Sequence, residues 1–527
     1  MKLGLTVVAA LLLAWPAALP AAPASSSSRP NIVFIFADDW GWGDLSCHGH
    51  PYLQTPNLDR LASEGIDFQQ FNVLNPVCSP SRTAATTGLF PARFCIHEHF
   101  APGINTQRGM PDWLDPRAPT LARFLHGAGY RTGHFGKWHL TNKGSVGAPE
   151  PAAYGFDESA VFNGPGVEAE LHDTADNAVK FILAHKGGPF YVNVWLHESH
   201  TPHVPTEPSL AKWKHLDEQQ QVYAAVITDG DNAVGQVLAA LKEAGVEDNT
   251  IVVFSADNGP EWTGGENQKQ MGQGYGTWAS VGQTGGLRGR KRSLFEGGVR
   301  TPFIVRWPGH APAGTKNDQT VVAAVDLLPT LCAAAGMKLP DIYPGDGESL
   351  LEAFCGQPVS RTRPLFWEWR GTQTEPDWWP RLAVREGDWK LVLTYDASRV
   401  ELHQLSNDRA EARDVSQEHP EVVTRLAKLA LDWKASLPER PDAECISKVP
   451  QEPARKNQPA GKTGKVTAEQ RAKAFARWDT DQDGLLTLDE YSAGLKGQAN
   501  LEARFKNFDK NGDGKLTRDE FVISDPK

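Results

Sequence analysis

The sequence predicts an α/β protein built on a large, mixed but mostly parallel sheet flanked by helices, and three observations carry that expectation. Asn31–Ala37 (NIVFIFA) is a short, continuous apolar run rich in β-branched and aromatic residues, followed at once by Asp38-Asp39. Residues 250–255 (TIVVFS) have the same character and lead to Asp257-Asn258. Runs of this kind read as strands buried on both faces of a parallel sheet. Between them lie helix-like stretches at 120–128 and 218–244 and another apolar run at 190–196. Strands alternating with helices imply an α/β sheet, whose ligands bind beyond the carboxyl ends of the strands. The two acidic pairs therefore converge on one expected site.

At the amino end, Lys2 precedes an apolar run over 3–19 interrupted by Pro16, and Ala22-Pro23-Ala24 offers small residues before four serines at 25–28. This pattern predicts an export signal over 1–24 and a mature chain outside the cytoplasm, periplasmic or secreted. The run is short and broken for a membrane anchor, and no later segment has enough uninterrupted apolar residues to span a bilayer. The catalytic α/β domain is expected over 29–363. From about Pro364 the texture changes: 382–384, 389–395 and 400–404 read as short antiparallel strands, with a helix at 420–433 packed on them. They define a smaller subdomain over 364–446. Residues 447–465, rich in Pro, Lys, Gln and Gly, read as a linker to a terminal all-α module over 466–527.

The 527 residues carry a net charge of -11, which argues against nucleic acid or a polybasic membrane contact as partners. Seventeen tryptophans suit either core packing or stacking on sugar rings. Six cysteines, at 47, 78, 95, 332, 355 and 445, are too sparse and irregular to form a disulfide framework.

In the terminal module, Asp479, Asp481, Asp483, Thr487 and Glu490 place oxygen donors at loop positions 1, 3, 5, 9 and 12, with Gly484 at position 6. Asp509, Asn511, Asp513, the Lys515 main chain and Glu520 repeat the arrangement around Gly514. Calcium takes six to eight hard oxygens, two of them from the final Glu. The stretch therefore reads as a pair of EF-hand loops, each expected to hold Ca²⁺. Leu486 and Leu516 at position 8 are expected to pair across a short β contact. In an exported protein the pair suits a constitutive structural or docking module, with a possible docking partner, better than a switch.

Cys78-Ser79-Pro80-Ser81-Arg82 precedes a small-residue stretch, 83–88, that reads as the start of a helix. A lone cysteine is ordinarily a core thiol. The C-x-P-S-R pattern followed by Thr87-Gly88, however, resembles the motif of the type I, formylglycine-dependent sulfatases of the alkaline phosphatase-like superfamily. The resemblance runs in the family's order from Asn31 to about Trp433. It includes Asp38-Asp39, the segment from Gly129 to Gly136-Lys137-Trp138-His139, and His200-Thr201-Pro202. It continues through Asp257-Asn258-Gly259, Gly289 to Arg300, and Glu401-Leu402-His403-Gln404-Leu405. The layout looks like that of bacterial N-acetylgalactosamine-sulfate sulfatases and arylsulfatases.

The resemblance implies that Cys78 is oxidised to formylglycine by a maturation enzyme and joins Asp38, Asp39, Asp257 and Asn258 around a Ca²⁺ ion. An all-oxygen set of this kind favours Ca²⁺ or Mg²⁺ over zinc. Arg82, Lys137 and Lys291 then offer positive charge to the sulfate group. His200, together with Lys291, is implied to protonate the leaving alcohol, and His139 to take the proton whose loss expels sulfate. His197 and His203 are near alternatives to His200. Arg290, Arg292, His97, His99 and Trp262 remain open as lining of the substrate cleft. The implied substrate is a sulfate monoester, sulfated carbohydrate or aryl sulfate. A phosphate- or phosphonate-ester hydrolase of the same superfamily, and a non-catalytic sulfated-glycan-binding protein, are the competing readings.

Overall fold

The computed structural model describes residues 29–142, 144–163, 172–261, 278–371, 379–449, 468–481, 483–494 and 501–522. The expected export signal, most of the linker and Trp262 lie outside them. The chain divides into two compact units between Ala454 and Arg455.

The first unit contains β1 (Asn31–Ala37), β2 (Ile66–Phe68), β3 (Phe71–Asn72), β4 (Arg131–Lys137), β5 (Glu158–Phe162), β6 (Phe190–Trp195), β7 (Thr250–Ala256), β8 (Phe303–Arg306), β9 (Thr315–Asn317) and β10 (Val322–Ala323). Eight of these form one sheet in the order β5-β4-β6-β1-β7-β8-β2-β9; β3 and β10 pair separately. From β5 to β7 every neighbour is parallel, and β8 runs antiparallel to both β7 and β2. β1 is central, and its alternating side chains explain its continuous apolar run. Ile32, Phe34 and Phe36 join one core, while Val33, Ile35 and Ala37 join another on the opposite face with Val222, Val226 and Val237 of the helix Glu218–Glu243.

Helix α1 spans Pro56–Ser63, α2 spans Cys78–Thr87 and α3 spans Leu121–Gly127. Helix α2 begins five residues earlier than the small-residue stretch suggests, at Cys78 itself. Pro80 permits this, because the first turn of a helix has no intrahelical use for its N–H groups. All ten residues of α2 are buried.

The smaller sheet has the antiparallel order β11 (Leu365–Glu368), β12 (Leu382–Glu386), β13 (Trp389–Leu393) and β14 (Val400–Gln404). The helix Pro420–Ala435 packs against β12 and β13. All six cysteines are unpaired, and no helix among the described residues is long and apolar enough to cross a membrane.

In the second unit, β15 (Leu485–Thr487) and β16 (Lys515–Thr517) pair antiparallel with Leu486 opposite Leu516, as the loop positions require. Both leucines are fully buried in a core with Phe475, Trp478, Tyr491, Phe505 and Phe521.

Candidate active site

Strand register assembles the site. Ala37 of β1 lies opposite Ala256 of β7, so Asp38 and Asp257 leave the sheet side by side. The N–H of Asp39 donates to Asp257 Oδ1 at 3.2 Å. β4 and β6 pair in register up to Gly136 and Trp195, which brings Lys137 and His139 from one strand, and His197 and His200 from the other, to the same edge. Two residues turn sharply to face inward: Asp39 has φ 60° and His139 φ 49°.

Each carboxylate is met by a cation. Lys137 Nζ donates to Asp38 Oδ2 at 2.5 Å, and Lys291 Nζ to Asp39 Oδ2 at 2.6 Å. Arg82 places Nε and Nη2 on Asp257 Oδ2 at 2.9 and 2.6 Å and Nη1 on the Lys137 carbonyl at 3.1 Å. Its guanidinium is held over Trp195, 5.0 Å from the ring centroid. Asn258 Nδ2 donates to Asp39 Oδ1 at 2.7 Å.

The donor set fits a hard divalent cation. Oxygens of Asp38, Asp39 and Asp257 lie within 4.8 Å of one another. Asp38 Oδ1 and Asn258 Oδ1 are buried acceptors without a hydrogen-bond partner, an expensive state for a protein oxygen unless something else fills it. Burial would raise the Asp38 carboxyl, but Lys137, His200, His197 and Arg82 hold it well below the ordinary carboxylate range. Burial, with Asp38 beside it, pushes Asp257 well above that range despite Arg82. A divalent cation held by Asp38, Asp39, Asp257 and Asn258 would favour the ionised form of all three carboxylates. A second grouping, Asp38 with His197 and His200, is less suited, because His197 already directs Nδ1 to Asp38 Oδ2 at 2.6 Å.

Cys78 opens α2, and its Sγ lies 3.0 Å from His139 Nδ1. His139 Nε2 faces the Phe100 carbonyl at 3.2 Å. A carbonyl only accepts, so Nε2 carries the proton and Nδ1 presents its lone pair to residue 78. Burial, then Lys137 and Arg82, hold the ring well below the ordinary histidine value and keep it a neutral acceptor. His200 directs Nδ1 to the Thr201 carbonyl at 2.6 Å, leaving Nε2 3.9 Å from Asp39 Oδ2. Its ring stacks on His197 at 4.7 Å. Burial and Lys137 also push its pKa far down.

The structure thus brings together Asp38, Asp39, Cys78, Arg82, Lys137, His139, His200, Asp257, Asn258 and Lys291. Of the neighbours left open, His203 turns away, with both ring nitrogens buried and unpartnered and its ring toward Tyr223. Arg290 bonds the Gly282 carbonyl, and His97 Nε2 bonds the Arg108 carbonyl. His197, an alternative to His200 in the sequence, instead supports Asp38. One participant escaped the sequence: Glu261 lies 3.1 Å from Lys291 Nζ while also pairing with Arg292. Glu261 follows Asn258 by only three residues, the one signal that marked it.

In the terminal unit, carboxylate oxygens of Asp479, Asp481 and Asp483 also lie within 4.8 Å of one another. Glu490 folds back over the loop, accepting from the Thr480 N–H at 2.9 Å and from Thr487 Oγ1 at 2.9 Å. Asp509 accepts from the N–H of Gly514 at 2.9 Å, and Asn511 Oδ1 from Asp513 N–H at 2.9 Å. Glu520 accepts from Thr517 N–H at 2.9 Å, and Lys515 N–H donates to Asp513 Oδ1 at 2.9 Å. Gly484 and Gly514 have φ 79° and 80°, the left-handed turn that position 6 demands.

Residues 30–337 match the family model described as Sulfatase, and 289–434 match that of the N-sulphoglucosamine sulphohydrolase C-terminal region. An EF-hand model matches residues 501–522. The chain belongs to the sulfatase family, a class of sulfuric ester hydrolases.

It is 28% identical to an N-acetylgalactosamine-6-O-sulfatase of Bacteroides thetaiotaomicron, over 77% of this chain and 93% of that protein. To arylsulfatase A of Bos taurus it is 33% identical, over 70% of this chain and 76% of the other. Among solved structures it is similar to Ps i-CgsB in complex with k-i-k-neocarrahexaose. That match has a TM-score of 0.65 and 25% identity, covering 78% of this chain and 94% of that one.

Proposed function

We propose that this sulfatase cleaves sulfate monoesters of sulfated carbohydrate, with residue 78 converted to formylglycine and Ca²⁺ held by Asp38, Asp39, Asp257 and Asn258. The observation that carries the reading is the convergence of residue 78, the His139 acceptor and three cationic side chains on one oxygen-only pocket. A formylglycine hydrate would supply a nucleophilic oxygen at position 78, and a cation held by Asp38, Asp39, Asp257 and Asn258 would supply Lewis acidity beside it. Arg82 and Lys137 orient the carboxylates and add positive charge where the transition state gathers negative charge. The N-terminus of α2 acts in the same sense. His139 Nδ1 is the acceptor for a proton leaving residue 78.

Two groups were expected to protonate the departing alcohol. Burial alone would lower Lys291, but Asp39 and Glu261 raise it, so it carries its proton; His200 is kept neutral. Lys291 is accordingly the donor, and His200 Nε2 a hydrogen-bonding partner beside it.

Carbohydrate is proposed because one similar protein is named N-acetylgalactosamine-6-O-sulfatase and a similar structure is a complex with k-i-k-neocarrahexaose. The mature chain is proposed to act outside the cytoplasm, and both terminal loops to hold Ca²⁺. The experiment is turnover by the converted enzyme of matched aryl sulfate and aryl phosphate esters, followed by a panel of sulfated sugars. Sulfate release from aryl sulfate and at least one sugar is expected. Preferential phosphate release overturns the reading, and aryl sulfate turnover with no sugar accepted overturns the carbohydrate part.

A further inference from the structure

The residue after Lys291 is an arginine in a backbone conformation that favours glycine. Arg292 has φ 74°, in the left-handed region that disfavours an L side chain. Its N–H donates to the Pro76 carbonyl at 2.9 Å, two residues before Cys78, while the Lys291 N–H donates to the Pro260 carbonyl at 3.0 Å. The segment is thus clamped between the loop that carries residue 78 and the loop that carries Asp257. Strain of this kind gathers at functional sites and persists where its surroundings enforce it. Nothing in the turn itself requires a long cationic side chain.

The charge balance gives one a use. Among the described residues, the ion-paired pocket holds four cations (Arg82, Lys137, Lys291, Arg292) and four carboxylates (Asp38, Asp39, Asp257, Glu261). Glu98, which also acts on Arg292, is offset by Arg108. A divalent cation adds two positive charges to these pairs and one sulfate monoester removes one, so a positive charge is left over among them. Arg82, Lys137 and Lys291 are 0–4% exposed and committed to the three metal-side carboxylates. Arg292, 22% exposed, is the outermost of the four.

We propose that Arg292 binds a second anionic group of the substrate, next to the reacting sulfate, so that the enzyme selects polyanionic sugars. This deepens the sulfatase reading above and rests on it. A second sulfate and a hexuronate carboxylate share the required chemistry.

The test uses the full chain carrying Cys78→Ala, loaded with Ca²⁺, so that ligands bind without turning over. A monosulfated hexosamine, the same sugar with a second sulfate, and the monosulfated sugar linked to a hexuronate are each titrated by calorimetry. The expected result is that one dianionic ligand binds at least about tenfold tighter than the monosulfated sugar, as a charge-assisted contact allows. Which one does so identifies the source. Adding Arg292→Gly, which supplies the residue the backbone favours, should erase that ratio, and Arg292→Lys should keep part of it. The same ratio in kcat/KM for the converted enzyme is the second arm. A ratio near one in the Arg292 protein, or a ratio that survives Arg292→Gly, overturns the inference. Aryl sulfate turnover by the unsubstituted protein reports separately on the sulfatase reading, so either can fail alone.

Discussion

The pocket beyond β1 and β7 and the loop over 479–490 are both built from oxygen donors, yet they solve opposite problems. In the pocket, Asp38, Asp39 and Asp257 are fully buried, and each is matched by a lysine or arginine already in place. In the loop, Asp481 and Asp483 are exposed, and Glu490 rests on threonine hydroxyl and main-chain donors. A buried carboxylate must be paired or it loses its charge, whereas an exposed one can wait in water. The pocket is therefore welded into the fold through Arg82 and Lys137, while the carboxylates of the loop depend on no buried cation.

Breaking the pocket should have the largest effects. Cys78→Ala is expected to lower aryl sulfate turnover by a factor of about 10⁴ or more, since it removes the nucleophile. The unfolding midpoint should stay close to that of the parent; appreciable activity left in the variant would sink the mechanism. Asp257→Ala removes the nearest partner of buried Arg82, leaving Asp38 at 3.7 Å, and should destabilise the first unit by about 3–5 kcal/mol, read by chemical denaturation. Asp481→Ala, its counterpart in the exposed loop, should leave that transition unmoved.

Acid sharpens the contrast further. Burial would raise Glu296, but Lys390 and Arg300 outweigh it and hold it well below its ordinary 4.5. A depressed carboxylate contributes stability that is fully present above its unfolded value and is lost as pH falls through the folded one. The first unit should thus weaken progressively below about pH 4.5. Glu490 is also depressed, to about 2, by Thr487 and Thr480, but it is only half-buried and its share is expected to be small. Lys390→Met, which leaves Glu296 and Glu411 buried together, should move the acid transition to higher pH; an unchanged acid profile would contradict this assignment. The smallest effect is expected from deleting Thr467 onward. All the proposed catalytic residues lie in the first unit, so aryl sulfate kcat should stay within about twofold, and a collapse with that unit still folded would tie the module to catalysis.

The legible parts of the fold were those whose environment is uniform. β1 and β7 lie inside the sheet with both faces covered, so all but Asn31, Thr250 and Ser255 are apolar and the strand ends are marked by the first charges. β4, second from the sheet edge, reads RTGHFGK, because Thr132 bonds Asp157, Lys137 serves the site and its glycines make room for neighbours. At Gly136, with φ 97°, a Cβ would meet the Trp195 carbonyl at 2.2 Å. The start of α2 was hidden by Pro80, a residue that usually ends helices and here sits where its missing N–H is harmless.

Within the site, the acidic pairs were legible because strand ends carry them in register. Glu261, His197 and the strained Arg292 come from loops whose course depends on tertiary packing. The EF-hand loops were the most legible of all, since their ligand geometry is local to twelve residues.

The most direct test of the central claim is the mass of the peptide spanning residue 78, from protein co-expressed with a formylglycine-generating enzyme. Conversion predicts a peptide lighter than the thiol form by the difference between a cysteine side chain and an aldehyde, with no thiol left to alkylate. An unmodified thiol despite a competent maturation system would contradict it and bring forward a non-catalytic, glycan-binding role for the same pocket.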